Sequence, residues 1–419
     1  MSFPKRFCCV VALIGLTALV AACGGGGGGT SASSDVPSLT VLPIPAVQGN
    51  VLGVTVDSGP ANSGTNVNRL YTTVSICQPG SVTQCQTIDH VLVDTGSSGL
   101  RLLSSVMAPA LSLSRVTGTG GLPLLNCEQF VDGTFAWGPV TRADIVLGSK
   151  TASNVPIQVI ADPAFSSLAQ ACSRSGVSLT SITTIGANGI LGLGLFKQDC
   201  GVGCISNTHN GFYYTCTNVN CTATQGATAS IAQQLKNPVP LFSADNNGVL
   251  IDLPAVSSAS ASVLNGSLIF GIGTQSNNQL KFATVLAANA NGYITTRLGV
   301  QSLTRSFIDS GSNGLFFDSA TIQSCGSNAT GFYCPNSTTT LSATMVDINA
   351  VSTSVFSFSV ENASTLFAGG INAVTPNLSG PAGDSTSFDW GLPFFYGRRV
   401  FFGIEGMSPS LATDGFYAF

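Results

Sequence analysis

The stretch Val91-Leu92-Val93-Asp94-Thr95-Gly96-Ser97-Ser98-Gly99-Leu100 has a second version later in the chain, Ser306-Phe307-Ile308-Asp309-Ser310-Gly311-Ser312-Asn313-Gly314-Leu315. Each is an apolar run that ends on an aspartate, turns through a small hydroxyl residue and a glycine, and returns to apolar sequence. That pattern predicts a strand entering a tight turn, with Gly96 and Gly311 taking backbone angles closed to other residues. A carboxylate at the end of an apolar strand is costly to bury unless something is arranged around it. A single copy would read as a β-turn carrying a surface aspartate. Two copies predict two similar lobes, each presenting one aspartate to a shared cleft.

A chain of 419 residues has room for two such lobes. Charged residues make up only 8% of it, against about 25% in ordinary soluble domains. This profile suits a β-rich exported protein. It excludes nucleic-acid binding, which needs clustered Lys and Arg. The net charge of −4 specifies no partner.

Export is written at the start. Lys5 and Arg6 precede an apolar run from Val10 to Ala22, too short to span a bilayer. The run ends Leu19-Val20-Ala21-Ala22-Cys23, which resembles the lipobox of bacterial lipoproteins. The resemblance implies a signal peptide over 1–22 and a lipidated N-terminus at Cys23. Residues 23–47, with Gly24 to Gly29, then form a flexible linker. Gly24 after the cysteine implies a protein lipid-anchored in the bacterial cell envelope, at the outer membrane. The rival is an ordinary signal peptide with an incidental cysteine.

Setting aside Cys8, Cys9 and Cys23, the 13 cysteines leave an even number for the globular part, which suits an oxidising compartment. Cys77 and Cys85 flank a Gln78-Pro79-Gly80 turn, and Cys325 and Cys334 bracket a similar loop. Cys127, Cys172, Cys200, Cys204, Cys216 and Cys221 pair among themselves with connectivity open. A zinc site at Cys200-Cys204-Cys216-Cys221 is the rival, disfavoured in that compartment.

Strands are expected at Val51–Val56, Leu70–Ile76, Val155–Ile160, Asn188–Gly194, Gly248–Ile251, Ser267–Gly271, Tyr293–Leu298, Val355–Val360 and Arg399–Ile404. Phe130–Val140 and Ala143–Gly148 read as the arms of one hairpin. Leu100–Leu113 reads as a short helix or an irregular segment. Ser230–Leu235 is the best helix candidate, ended by Asn237-Pro238. The Ser/Ala stretch Val256–Ser262 divides an N-terminal lobe, 48–258, from a C-terminal lobe, 259–419.

In this order the features resemble the pepsin-type, two-lobed aspartic proteases. The two catalytic motifs are matched by Asp94-Thr95-Gly96-Ser97 and Asp309-Ser310-Gly311-Ser312. The apolar-apolar-Gly signature behind each catalytic loop is matched by Ile190-Leu191-Gly192 and, more loosely, by Trp390-Gly391-Leu392. The resemblance covers Asn50 to Phe419 and implies a mostly β fold of two pseudo-symmetric lobes around a central cleft. The whole sequence also resembles an uncharacterised family of proteobacterial lipoproteins. Two places depart from the protease pattern. The flap, which usually carries a Tyr before a Gly, reads Asp132-Gly133-Thr134, and the Trp after the first motif is replaced by Arg101. A salt bridge between Asp132 and Arg101 is expected to replace the Tyr–Trp contact.

The resemblance implies Asp94 and Asp309 as a catalytic dyad. Two carboxylates ~4 Å apart at an effective dielectric of ~20 repel by ~4 kcal/mol, about three pK units, so one keeps its proton. The charged member takes a proton from water and the other donates to the scissile carbonyl, with no metal and no cofactor. Thr95 and Ser310 are expected to hydrogen-bond between lobes, and Ser97 and Ser312 to orient the carboxylates. Gly133 and Thr134 are expected to offer flap backbone to an extended peptide. A Ser-His triad would have to use His90 or His209, and no Gly-x-Ser-x-Gly elbow occurs. His90 reads as a satisfied strand residue, and Phe394, Phe395, Phe401 and Phe402 as core. The expectation is a monomeric aspartic endopeptidase acting on peptide or protein substrate. The alternative is an inactive relative that binds peptide or envelope polymer in the same cleft.

Overall fold

The computed structural model describes residues 49–173, 176–256, 260–368, 370, 372–408 and 410–419. The expected signal peptide, Cys23 and the whole of the expected linker lie outside them. Strands are the dominant regular structure of the described residues. The first lobe contains β1 (Val51–Val56), β2 (Leu70–Cys77), β3 (Cys85–Asp94), β4 (Ser98–Leu103), β5 (Leu124–Gln129), β6 (Phe135–Leu147), β7 (Lys150–Ile160) and β8 (Gly189–Leu193).

Both lobes contain the same crossing. In the first, β8 runs parallel to β3, with Val93 opposite Leu191 and Asp94 opposite Gly192, and antiparallel to β4. In the second, Phe388–Trp390 runs parallel to Gln301–Ile308, with Ile308 opposite Trp390, and antiparallel to Leu315–Phe317. Each Asp loop is thus the turn between two strands that a third strand separates. Glycine is needed where that third strand leaves. A β-carbon at Gly192 would lie 2.6 Å from the Ser98 amide nitrogen, and one at Gly391 would lie 2.1 Å from the Gly314 carbonyl oxygen.

The lobes share a floor. β1 pairs with Leu264–Phe270, which pairs with Gly248–Leu253, then Arg398–Gly403, Phe416–Ala418 and Val285–Ala287. These strands join a continuous 15-stranded sheet, and the second lobe adds a 7-stranded sheet. The division expected at 258/259 falls between two adjacent, antiparallel strands of that floor. The second lobe's core is aromatic. Trp390 is fully buried between Phe388, Phe356, Phe358 and Phe394, and its indole donates to Thr296 Oγ1 at 2.9 Å. Phe394, Phe395, Phe401 and Phe402 are buried as expected.

Local expectations need correction in three places. Ser230–Leu235 forms one turn and no helix. The segment is too short to propagate one, and the Leu235 amide donates instead to the Tyr213 hydroxyl at 2.8 Å. The expected hairpin over 130–148 is two hairpins. β6 runs unbroken from Phe135 to Leu147, turning back to β5 through 130–134 and forward to β7 through Gly148 and Ser149. Leu100–Leu103, at the head of a segment read as a helix or irregular, completes β4 before a single 3-10 turn.

Disulfides join Cys77–Cys85, Cys127–Cys172, Cys200–Cys204, Cys216–Cys221 and Cys325–Cys334. The four cysteines of the zinc alternative are therefore spent as two bridges. The cysteine-rich insertion also supplies strand Tyr213–Cys216, which pairs with β5 and so braces the hairpin of β5 and β6. The sheet order and the repeated crossing make this a mostly β, pepsin-like bilobal fold.

Candidate active site

The two Asp loops meet at the centre of the molecule. Asp94 and Asp309 are both fully buried, and their carboxyls are within hydrogen-bonding contact. A β-carbon at Gly96 would stand 2.9 Å from Asp309 Cγ and 3.0 Å from each of its oxygens. Glycine at 96 is therefore a matter of room. The expected special backbone angles are absent, since neither Gly96 nor Gly311 is among the positive-φ residues.

Each carboxylate is held the same way. Gly96 N–H donates to Asp94 Oδ1 at 2.8 Å and Ser97 Oγ to Oδ2 at 2.6 Å. Gly311 N–H donates to Asp309 Oδ1 at 2.8 Å and Ser312 Oγ to Oδ2 at 2.9 Å. Between the loops, Ser310 N–H donates to Thr95 Oγ1 at 2.8 Å and Thr95 N–H to Ser310 Oγ at 3.2 Å. Ser310 Oγ in turn donates to the Val93 carbonyl at 2.7 Å. A second clasp went unread in the sequence. Buried Asn68 donates to the Asn313 and Thr375 carbonyls, and its oxygen accepts from the Thr375 amide and the Tyr396 hydroxyl.

Thr95→Val leaves the buried Ser310 amide without its acceptor. The expected cost is about 1–3 kcal/mol in urea unfolding, with Thr95→Ser restoring most of it. Equal stability of all three proteins would show that this bond does not hold the loops together.

Burial holds the Asp309 carboxyl well above the usual carboxylate range, and the charges of Asp94 and then Asp389 push it the same way. The Gly311 amide opposes them.

The expected Asp132–Arg101 salt bridge does not form. Arg101 is fully buried on β4, where its guanidinium meets Glu128 of β5 at 2.5 Å and lies 4.0 Å from Asp199. Asp132 sits at the exposed hairpin tip, and its Oδ1 accepts from the Thr134 amide at 2.8 Å and hydroxyl at 2.7 Å. A short acid in a tight turn closes on its own backbone two residues on. The same turn uses the Gly133 amide, which donates to the Phe130 carbonyl at 3.1 Å. The amides expected to meet a peptide are thus committed within the tip. What the tip presents instead is side chain: Val131 and Asp132 line a cavity of about 170 Å³ together with Ser312 and Asp389.

Behind the first Asp loop lies a polar network that the sequence reading missed. Asp199 accepts from the Tyr213 hydroxyl at 2.8 Å and from Asn126 Nδ2 at 3.1 Å, beside the Arg101–Glu128 pair. Burial pushes the Glu128 carboxyl up to about 7 against the pull of Arg101, with Asp199 and Asp94 adding to the rise. The signal was present: with 19 acids in the whole chain, one directly after Cys127 inside an apolar strand stands out. His90, as expected, is satisfied, with ring nitrogens 2.8 Å from Asp89 and 3.3 Å from Asp57. Among the described residues no cluster of His, Cys, Asp and Glu is arranged to hold a metal ion.

An aspartic proteinase from Irpex lacteus is similar in structure, with a TM-score of 0.45 and 15% identity over 88% of this chain and 96% of that one. The bilobal description rests on the chain's own topology rather than on that match. No curated protein matches the sequence. A family pattern described as "Protein of unknown function (DUF3443)" matches residues 46–419, and the chain belongs to that family.

Proposed function

We propose that the protein is an aspartic endopeptidase, tethered to the cell envelope through a lipid on Cys23, that hydrolyses peptide bonds with Asp94 and Asp309. The observation that supports it is the contact between two buried carboxyls, each fixed by one glycine amide and one serine hydroxyl. Asp94 takes a proton from water, whose oxygen adds to the scissile carbonyl, and Asp309 gives its proton to that carbonyl oxygen. Collapse of the resulting diol breaks the C–N bond, with a proton passing to the leaving nitrogen. The asymmetry needed comes from the charge of Asp389 beside Asp309, which adds to burial in keeping the proton there. Arg101, Glu128 and Asp199 hold β4 and β5 in place behind the first loop.

A second reading has its own support. The acid at the hairpin tip, in place of the flap tyrosine, favours a cleft that binds peptide or envelope polymer without cutting it. Cleavage of an acid-denatured protein by the purified chain, blocked by pepstatin, is the result expected of the peptidase. A pepstatin-induced rise in melting temperature should accompany it. Tight peptide binding with no cleavage at any pH would favour the second reading.

A further inference from the structure

Beside Asp309, on the second-lobe side, the cavity under the hairpin tip combines two unlike surfaces. Its walls are the rings of Phe307, Phe316 and Phe332, and its roof includes Val131. Its polar lining combines two carboxyls, Asp389 inside, 4% exposed, and Asp132 at the mouth, with the hydroxyl residues Ser312, Thr330 and Ser387. None of the residues lining it is a Lys or Arg. The cavity adjoins the dyad through Ser312, whose hydroxyl holds Asp309.

The fold does not demand an acid at 389. Asp389 pairs with Phe307 in the second crossing, and the corresponding pair in the first is Leu92 with Ile190. The pseudo-symmetric position is thus a buried isoleucine. In a chain with only 19 acids, an aspartate between Phe388 and Trp390 is a costly substitution for an apolar residue. It also opposes ionisation of its neighbour Asp309. A buried charge set in a pocket next to reacting groups is a common mark of a recognition site.

We propose that this pocket is the subsite for a long cationic side chain of a peptide substrate, that of lysine or arginine, with Asp389 receiving the charged head. The inference rests on the peptidase reading of the same cleft. An alkyl stem lies along the three phenyl rings, and the head reaches past them. An aromatic face also attracts a cation directly. Asp132, on the hairpin tip, adds a second carboxyl at the mouth, raised by burial to about 6 with Arg69 opposing the rise, so above that range tip and floor both attract the same group.

The test separates binding from cutting. Fluorescent decapeptides carrying Lys, Arg, Gln or norleucine at each position in turn are titrated into full-length Asp309→Asn by polarisation. At one position, Lys and Arg should bind about tenfold tighter than norleucine, as expected for a desolvated charge-assisted contact. The double variant Asp309→Asn/Asp389→Leu should lose that advantage. The comparison between peptides on the single variant needs no change at Asp389, so it stands even if the double variant folds poorly. No discriminating position, Gln equal to Lys, or an advantage that survives loss of Asp389 would overturn the proposal. Turnover of the same peptides by the unmodified chain is read separately. Selective binding without turnover would remove the peptidase reading and leave the cationic subsite; turnover without basic preference would do the reverse.

Discussion

Asp309→Asn is expected to reduce kcat at least ~1,000-fold, because the variant has no proton to give the scissile carbonyl. The same change should make the protein more stable at pH 7. The folded carboxyl holds its proton well above the usual range, so it contributes stability in acid that is lost as pH rises toward its raised value. Between the ordinary aspartate range and that value, each pH unit costs about 1.4 kcal/mol, since the unfolded chain releases a proton that the folded one retains. Glu128 contributes with the same sign between 4.5 and about 7. Asp132, raised by burial to about 6, acts with the same sign, so melting temperature should fall as pH is raised above the ordinary carboxylate range, and less steeply in Asp309→Asn. Parallel profiles for the two proteins would mean that Asp309 is not the carboxyl that stays protonated.

Arg101→Leu is expected to cost about 3–5 kcal/mol in urea unfolding, since it strands Glu128 with no countercharge in a fully buried site. Arg101→Leu/Glu128→Leu should recover part of that loss, because the Glu128 charge is removed while buried Asp199, 4.0 Å from the guanidinium, still loses its countercharge. Asp199 keeps the Tyr213 hydroxyl and Asn126 in the double variant. If the double variant were as unstable as the single one, the loss would come from packing around the guanidinium stem rather than from the ion pair.

The two Asp loops were readable because each is a local pattern, and because the pattern occurs twice. Thr95 and Ser310 sit at matching places in the two copies, and the structure brings them within hydrogen-bonding distance of each other. What failed was pairing across the chain. Asp132 was matched to Arg101 because both depart from one family's pattern, yet the acid that reaches Arg101 lies nearer the base of the hairpin, at Glu128. Strand register decides that, and register is set by the tip turn and the insertion strand together. The helix expected at Ser230–Leu235 rested on two apolar residues one turn apart, too little to outweigh a buried tyrosine hydroxyl waiting for the Leu235 amide. Asp389 was hidden by its neighbours, since an apolar run around one acid reads as core.

The shared floor has a consequence for timing. β1 is among the first described segments to emerge during synthesis, yet its partner strand begins at Leu264, and the floor is closed only by Phe416–Ala418. The second carboxyl arrives at residue 309, and the strand that fixes its loop arrives at Phe388–Trp390. Contacts this distant along the chain form late. A growing polypeptide therefore carries one Asp loop and no cleft until Phe388–Trp390 and Phe416–Ala418 have been placed.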